Sequence, residues 1–486
     1  MLRRGLICTF VLVTTLRLDA QKIAVYETTP DLKEALTERE PLYLDKAEFP
    51  GVPMITIDDA QRFQEIDGFG ASLTDAAAWL FAKKLPADQT AATFRMLFDR
   101  KGGIALNFLR QPVGSSDLSV TFYSFDDLCQ QSTKACTTPA GQTDPTLEHF
   151  SLAHDQESIL PLLKQALAIN PGMHVMLTPW SPPGWMKTTG SMLGSNPETK
   201  EASALRPESY TAFAQYLVKT IQGYQAAGVP VWALSVQNEP LYAPPTYSGM
   251  KMEAAEQAKF LGEALGPALA AVNLSPKVMV YDHNWDRPDY PETVLKDAKA
   301  GALAAGTAWH HYAGQPDVMT KNHEEFPQKD QWVTESSGGA WQKGNVLAEE
   351  AGELIAVTRN WARSYVLWAL ATDQNHGPFV GGCDTCRGLV TIDLTDAAHP
   401  QVRPELDYYV LGHASKFLLP GAVRVASDEP AGTQIHDVAF RNPKGDVVLY
   451  MLNAGTMSQM VGIRFRKKAV ATTIPAGSVA TLMWKP

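Results

Sequence analysis

Short apolar segments recur along residues 64–410, each followed by polar or aromatic residues, a loop and a helical stretch. The segments do not alternate strictly between apolar and polar positions, which is typical of strands covered on both faces of a parallel sheet. Eight strand–helix units predict an α/β fold with a (β/α)8 TIM barrel. The predicted strands are residues 66–70, 104–110, 174–179, 231–237, 277–281, 307–312, 331–334 and 364–369.

The clearest predicted helix lies between the third and fourth of these strands. Pro207 suits the first turn of a helix, Glu208 favours its N-terminus, and Gly228 ends it. The residues between them predict a helix packed on the barrel, not a cofactor site. Its apolar positions at helical spacing are Phe213, Tyr216, Leu217, Ile221 and Tyr224.

Near the C-terminus the pattern changes to short strand-like segments separated by Gly, Pro and Asn, which predicts an antiparallel β-module. These segments are residues 423–425, 437–441, 447–452, 460–464 and 479–484. Strand-like residues 23–27 and 54–57 are expected to join the module. The predicted units are N-terminal strands at 21–63, a barrel at 64–410 and the C-terminal β-module at 411–486.

The first twenty residues have the pattern of a signal peptide. Arg3 and Arg4 precede an apolar stretch at residues 6–16, and Ala20 is a plausible last residue before cleavage. The apolar stretch is shorter than the roughly 20 residues that span a bilayer, and no other segment suits a membrane helix. We therefore expect a secreted or periplasmic protein without a transmembrane segment.

Charge and cysteine usage narrow the possible partners and the compartment. The formal net charge of −10 argues against nucleic acid or anionic membranes as partners and is compatible with a neutral substrate. Beyond the signal peptide, Cys129 lies near Cys136 and Cys383 near Cys386, which fits two local disulfides in an oxidising compartment. A zinc site and a redox pair are the alternatives.

Chemistry-bearing residues follow the predicted strands at their carboxyl ends, where the active site of a TIM barrel lies. They combine carboxylates, amides, aromatic rings and an arginine that converge on one face of the barrel. They are Arg110, Asp117, Trp180, Asn238, Glu239, His310, Tyr312, Glu335 and Trp368.

Two glutamates after the fourth and seventh strands, Glu239 and Glu335, suit the two carboxyl groups of glycoside hydrolysis. Glu239 is expected to be the protonated acid and Glu335 the nucleophile, held ionised by Arg110 and the Tyr312 hydroxyl. Asn238 is placed to bind the sugar 2-hydroxyl.

Other hydrolase chemistries fit the sequence poorly, and no cofactor or metal is expected. The chain lacks the Gly-x-Ser-x-Gly elbow of many serine hydrolases. Two adjacent histidines, His310 and His311, would point to opposite faces of their strand and could not chelate one ion together.

Several longer motifs resemble those of glycoside hydrolase family 30, which contains glucosylceramidases and endo-β-1,6-glucanases. They cover nearly the whole chain after the signal peptide. They are residues 67–75 (DGFGASLTD), 109–117 (LRQPVGSSD), 178–188 (TPWSPPGWMKT), 238–240 (NEP), 309–314 (WHHYAG), 334–335 (TE) and 411–417 (LGHASKF).

The resemblance implies a β-sandwich built from both chain ends, Glu239 as acid/base and Glu335 as nucleophile. It also implies that four residues hold the glucosyl unit before the cleaved bond, and we place Arg110, Tyr312 and His310 in the substrate-binding set. The four residues are Asp117, Trp180, Asn238 and Trp368.

Two departures from the glucosylceramidase pattern bear on the substrate. That branch has His-Trp-Tyr where this chain has His310-His311-Tyr312, and the loop at residues 381–388 carries a cysteine pair. Both features resemble the β-1,6-glucanase branch. The sequence thus predicts a retaining β-glucosidic hydrolase of the β-1,6-glucanase type, with glucosylceramidase as the alternative and a non-catalytic glycan-binding protein as the alternative of another class.

Overall fold

The computed structural model describes residues 20–486. The predicted signal peptide at residues 1–20 therefore lies outside the described residues, except for Ala20. The described part begins with three strands, β1 (Gln21–Thr28), β2 (Thr37–Leu44) and β3 (Met54–Glu65). Among the helices of residues 20–486, none has the length and apolar character needed to cross a membrane.

Eight parallel strands within the described residues close into a barrel, which confirms the predicted fold class. Each strand pairs with the next along the chain, and the last pairs with the first. The strands are β4 (Gly68–Ser72), β5 (Phe108–Val113), β6 (His174–Pro179), β7 (Ala233–Ser235), β8 (Lys277–Asn284), β9 (Ala304–His310), β10 (Asp330–Ser336) and β11 (Ala362–Leu367).

The observed strands overlap all eight predicted segments but differ at their ends. The prediction that β5 ends at Arg110 and the seventh strand at Thr334 is wrong, because β5 continues to Val113 and β10 to Ser336. Arg110 and Glu335 consequently lie within strands, on rigid backbone. Charged residues are poor markers of a strand end when they are buried and paired inside a barrel.

The barrel interior is filled by side chains, and β4 passes close to its neighbour. Gly70 allows this approach, because a Cβ atom there would lie 1.6 Å from the carbonyl oxygen of Phe108. The seven other strands each contribute one residue to a buried cluster, so the barrel is a packed core below its catalytic end. These residues are Phe108, Met176, Ala233, Met279, Ala308, Trp332 and Val366.

Helices surround the barrel, and the predicted helix after Pro207 is present as a 3-10 turn (Pro207–Ser209) that continues into α5. The α-helices are α1 (Asp75–Trp79), α2 (Ala87–Phe98), α3 (Ala153–Glu157), α4 (Ile159–Ile169), α5 (Tyr210–Ala226), α6 (Ala254–Phe260), α7 (Gly266–Ala271), α8 (Asp289–Lys296), α9 (Ala298–Leu303), α10 (Asp317–Glu325), α11 (Val346–Arg359) and α12 (Leu406–Ser415). π-Helical turns at Leu80–Lys84 and Leu261–Leu265 extend α1 and α6.

A small sheet of β12 (Ala369–Asp373), β13 (Gly388–Asp393) and β14 (Gln401–Pro404) lies after the barrel. The sandwich follows, and it uses both chain ends, as predicted. Its nine strands in the described residues run in the order β19-β18-β3-β15-β16-β17-β20-β1-β2. The six C-terminal strands are β15 (Val423–Ser427), β16 (Ile435–Arg441), β17 (Val447–Asn453), β18 (Gln459–Phe465), β19 (Lys468–Ile474) and β20 (Val479–Trp484).

Two contacts close the sandwich and join it to the barrel. A bridge between Asp45 and Ala469 brings the two outer strands together, so the sheet folds back on itself. His413 of α12 lies 2.8 Å from the Thr28 hydroxyl and 2.9 Å from the Thr481 hydroxyl. This buried histidine ties the last helix to both chain ends.

Both predicted disulfides are present, one between Cys129 and Cys136 and one between Cys383 and Cys386. The first closes a loop after β5, and the second closes a short loop after β12. Neither pair is therefore a zinc site in this structure, which resolves the alternative that the sequence left open.

Candidate active site

A pocket opens at the carboxyl ends of the barrel strands and gathers most of the predicted residues. Arg110 and His310 do not line it; both are fully buried directly beneath its floor. The lining residues are Asp117, Trp180, Asn238, Glu239, Tyr242, Thr246, Tyr247, Tyr312, Glu335, Ser337, Trp341, Trp368, Gly381, Gly382, Cys383 and Cys386.

Glu335 is held from two sides. The Arg110 guanidinium donates to Oε2, and the Tyr312 hydroxyl donates to Oε1 at 2.8 Å. The carboxylate is almost completely buried, and its position in β10 fixes its backbone. These contacts orient one oxygen toward the pocket and are the ones that the sequence predicted.

Arg110 links the two glutamate strands through a buried network. Its Nη2 donates to Asn238 Oδ1 at 2.7 Å and to Asp282 Oδ2 at 3.0 Å, and its guanidinium lies 4.7 Å from the Trp180 ring centre. Burial lowers the pKa of Arg110, but the charges of Asp282 and Glu335 more than offset this and raise it. The network therefore keeps a permanent positive charge below the pocket.

Asp282 is the centre of this network, and sequence reasoning missed it. It accepts hydrogen bonds from Ser235 and Thr334, both at 2.6 Å, in addition to Arg110. Burial raises the pKa of Asp282, but Arg110 and His310 hold it well below its usual range. The available signal was its position, since it directly follows the predicted fifth strand, and β8 in fact continues through it to Asn284.

Glu239 lies just after β7 in a strained backbone conformation, with φ of +43°. Its amide donates to the carbonyl oxygen of Asp282 at 3.0 Å, and its Oε1 lies 3.1 Å from His310 Nδ1. Burial raises the pKa of Glu239, but the hydrogen bond from His310 and the charges of His283, His310 and Arg110 lower it further, so the net shift is downward. This shift favours the ionised form of Glu239 in the free pocket, whereas the acid role expected from the sequence needs the protonated form.

His310 supplies that shift because it sits between two carboxylates. Its Nε2 lies 3.1 Å from Asp282 Oδ1, and its Nδ1 faces Glu239. Burial lowers the pKa of His310, but Glu335, Asp282 and Glu239 raise it to about 9. The protonated ring donates from both nitrogens.

Glu239, His310 and Glu335 have potential ligand atoms within 4.8 Å of one another, which is also the spacing of a metal site. Both ring nitrogens of His310 already face carboxylates, Nδ1 toward Glu239 and Nε2 toward Asp282, so this cluster is arranged for hydrogen bonding and proton exchange. The neighbouring His311 points away, with its Nδ1 2.7 Å from Glu353 Oε2, as the strand geometry predicts.

One side of the pocket carries the residues predicted to hold a glucosyl unit; this part, called the sugar side, is closed and aromatic. Trp180 and Trp368 stack with ring centres 4.9 Å apart, and both are buried. Beside them, Asp117 accepts a hydrogen bond from the Cys383 amide at 3.2 Å. Burial and the charge of Glu335 raise the pKa of Asp117 to about 7. The disulfide loop can pack this closely only at a glycine, because a Cβ on Gly382 would lie 1.9 Å from that of Asp117.

Other lining residues form an open rim of the pocket. Tyr242 is 49% exposed and Trp341 is 48% exposed, although both line the pocket. Neither residue is among the site residues predicted from the sequence. Exposed aromatics on loops carry no periodic signal that would separate them from ordinary surface residues.

Comparison with known proteins agrees with this architecture. Residues 66–418 match the glycosyl hydrolase family 30 TIM-barrel domain, and residues 421–482 match the family's beta sandwich domain. An endo-1,6-beta-D-glucanase of Neurospora crassa is 34% identical over 448 residues, covering 87% of this chain and 88% of the relative.

Two further similar proteins are a glucanase of known structure and a glucosylceramidase. A solved endo-beta1,6-glucanase superposes with a TM-score of 0.84 and 30% identity, covering 96% of this chain and all of that chain. The lysosomal acid glucosylceramidase of Mus musculus is 26% identical over 452 residues, covering 89% of this chain and 83% of the relative.

Proposed function

Since the chain belongs to glycoside hydrolase family 30, we propose that this O-glycosyl hydrolase cleaves β-1,6-glucan with retention of configuration. The observation that carries the proposal is the pair of glutamates, whose nearest carboxylate oxygens lie within 4.8 Å. Retaining enzymes hold their carboxyl groups about 5 to 5.5 Å apart, whereas inverting enzymes need about 6.5 to 9.5 Å to admit a water molecule.

In the first step, Glu335 Oε attacks the anomeric carbon and forms a glycosyl ester while the glycosidic bond breaks. Glu239 gives its proton to the departing oxygen. In the second step, Glu239 takes a proton from water, the resulting oxygen attacks the anomeric carbon, and Glu335 leaves as a carboxylate. Two inversions at one carbon restore the β configuration.

Glu239 needs a proton for the first step, although its pKa is low in the free pocket. Its side chain is still 16% exposed there. A bound glucan excludes the remaining water, and desolvation favours the neutral acid. The acid form is thus produced by substrate binding.

The glucosyl unit would bind against the stacked pair Trp180 and Trp368, with Asp117 and Asn238 supplying hydrogen bonds to its hydroxyls. The rest of the glucan would cross the open rim, where Tyr242 and Trp341 offer flat aromatic faces. β-1,6-Glucan is favoured because the relatives named for that polymer are 30–34% identical, against 26–29% for the relatives named as glucosylceramidases. Export is proposed from the signal-peptide pattern and the two disulfides.

A substrate panel tests the function. β-1,6-Glucan, β-1,3-glucan, glucosylceramide in detergent and an aryl β-glucoside are compared by initial rate, with Glu335→Gln as the inactive control. We expect β-1,6-glucan to be hydrolysed with the highest kcat/KM and the new reducing ends to appear first as the β-anomer by NMR. Faster hydrolysis of glucosylceramide would identify the protein as a glucosylceramidase instead. An α-anomer as the first product would contradict retention.

A further inference from the structure

A second cluster of ionisable side chains lies outside the pocket, in the long loop between β5 and α3. Asp126, Asp144 and His149 each place one potential ligand atom within 4.8 Å of the others. The Cys129–Cys136 disulfide lies in the same loop. The proposed glycosidase chemistry uses none of these residues.

Asp144 and His149 form the outer part of this cluster. His149 lies with Nδ1 2.8 Å from Asp144 Oδ2, and its backbone amide donates to the same oxygen at 2.8 Å. The His149 ring is largely exposed, while the Asp144 carboxylate is largely buried. The cluster therefore has a route to solvent on the His149 side.

Asp126 forms the inner part of the cluster, and only one of its two carboxylate oxygens accepts a hydrogen bond. Its side chain is completely buried, and its Oδ2 accepts from Trp185 Nε1 at 2.8 Å. Its Oδ1 is buried and has no hydrogen-bond donor among the described residues. A buried carboxylate oxygen without a donor is costly, and here a second carboxylate, Asp144, lies next to it. A cation or a shared proton must balance this pair.

The donor set distinguishes between cations. Two carboxylates and an imidazole suit Zn²⁺ and related transition-metal ions, whereas Ca²⁺ and Mg²⁺ prefer ligands that are all oxygen. An exposed third ligand leaves an open coordination position and an entry path.

We propose that Asp126, Asp144 and His149 bind one divalent transition-metal ion, for which Zn²⁺ is the probe. The ion would join the disulfide-closed loop, through Asp126, to the indole of Trp185. Trp185 lies five residues after Trp180, which lines the sugar side of the pocket. The ion would stabilise the wall of the active site without touching the substrate.

The experiment uses the whole oxidised protein without an affinity tag, stripped with a chelator and kept free of thiols. Zn²⁺ is titrated calorimetrically, and thermal unfolding is followed with Zn²⁺, with Ca²⁺ and without metal. We expect one tight site and a higher Tm with Zn²⁺ but not with Ca²⁺. No tight Zn²⁺ site, or an equal shift with Ca²⁺, would overturn the proposal in favour of a shared proton.

Variants locate the ion. His149→Gln is on the surface and should weaken Zn²⁺ binding at least tenfold, while His399→Gln is the matched control. His399 forms an exposed pair with Asp396, at 2.9 Å, that resembles the His149–Asp144 pair without the buried third carboxylate. Unchanged Zn²⁺ binding in His149→Gln would place the ion elsewhere, for instance among the pocket glutamates, and sink the proposal.

Asp126→Asn guards against a folding artefact, because the amide keeps an acceptor for Trp185 and removes one of the two adjacent charges. It should unfold at the same or a higher temperature than the metal-free wild type, and Zn²⁺ should no longer raise its Tm. A Zn²⁺ shift equal to that of the wild type in this variant would contradict the ligand assignment.

Discussion

The two sides of the pocket are built differently. On the sugar side, Trp180 and Trp368 are buried, Arg110 holds Asn238, and Arg110 and Tyr312 hold Glu335. On the rim, Tyr242 and Trp341 are about half exposed and sit on loops. The comparison teaches that buried residues of the barrel fix the proposed site for one glucosyl unit. Contacts with the rest of a glucan would depend on a few exposed aromatic rings.

The largest expected effect lies on the buried side. Glu335→Gln removes the nucleophile but keeps the side chain's size and an acceptor oxygen for Arg110, while its amide can donate to the Tyr312 oxygen, so hydrolysis of every β-glucoside should fall by about 10⁴-fold or more. Initial rates on β-1,6-glucan and on an aryl glucoside measure this, with circular dichroism as the folding control. A well-folded variant with more than a tenth of the wild-type rate would show that the reactive carboxylate lies elsewhere.

A smaller and substrate-dependent loss is expected for Glu239→Gln. Glucan hydrolysis should fall by about 10² to 10⁴-fold, because proton donation is lost. A dinitrophenyl β-glucoside needs no proton on its leaving group, so it should still glycosylate Glu335, and the intermediate should accumulate.

Azide separates the two roles on the same substrate. It should restore turnover of Glu239→Gln and yield a β-glucosyl azide, whereas Glu335→Gln should yield an α-glucosyl azide by direct attack on the vacated face. NMR of the azide products gives the configurations. If they came out exchanged, the acid/base and nucleophile assignments would have to be exchanged as well.

The same difference between the two sides explains what the sequence could predict. Barrel strands carry long apolar patterns, so all eight segments and the residues that follow them could be located. Strand β2 was not predicted, because it is charged and mostly exposed. Strand β19 was not predicted either, because its buried and exposed positions alternate only weakly. A strand or helix can be predicted from its apolar residues only when buried positions recur at a regular spacing along most of its length.

At the site, residue identity was predictable and electrostatics were not. Arg110 and Tyr312 both contact Glu335, as expected from the sequence. Against the effect of burial, the pKa of Glu239 is lowered by His310, His283 and Arg110, which come from other strands, and no local pattern encodes that arrangement. Tyr242 and Trp341 on the rim could not be separated from ordinary surface aromatics.

A moderate effect confined to long substrates is expected on the rim. Trp341→Ala should raise KM for β-1,6-glucan by up to about tenfold, since an aromatic contact contributes about 0.5–1.5 kcal/mol, and should leave kcat nearly unchanged. An aryl glucoside that does not reach the rim should be unaffected. Tyr43→Ala, on a half-exposed aromatic of the sandwich, is the matched control. An equal loss of activity on both substrates would mean that Trp341 also supports the sugar side. It would contradict the distinction between the two parts of the pocket.

The smallest expected effect is on stability and again distinguishes the two sides. The pKa of Asp117 is raised to about 7, chiefly by burial, so the folded state binds its proton more tightly than the unfolded state. The stability that this proton contributes is fully present below the ordinary pKa of an aspartate and is lost as the pH rises through about 7. Asp117→Asn mimics the neutral form and removes this dependence.

Between pH 5 and pH 8.5, the Tm of the wild type should therefore fall relative to that of Asp117→Asn by a few degrees, roughly 2–4 °C. Other buried carboxyls titrate in both proteins, so only the difference between the two curves is informative. Trp341→Ala, which changes no ionisable group, should follow the wild type. Parallel curves for the wild type and Asp117→Asn would show that water reaches Asp117 freely, and the sugar side would then be as open as the rim.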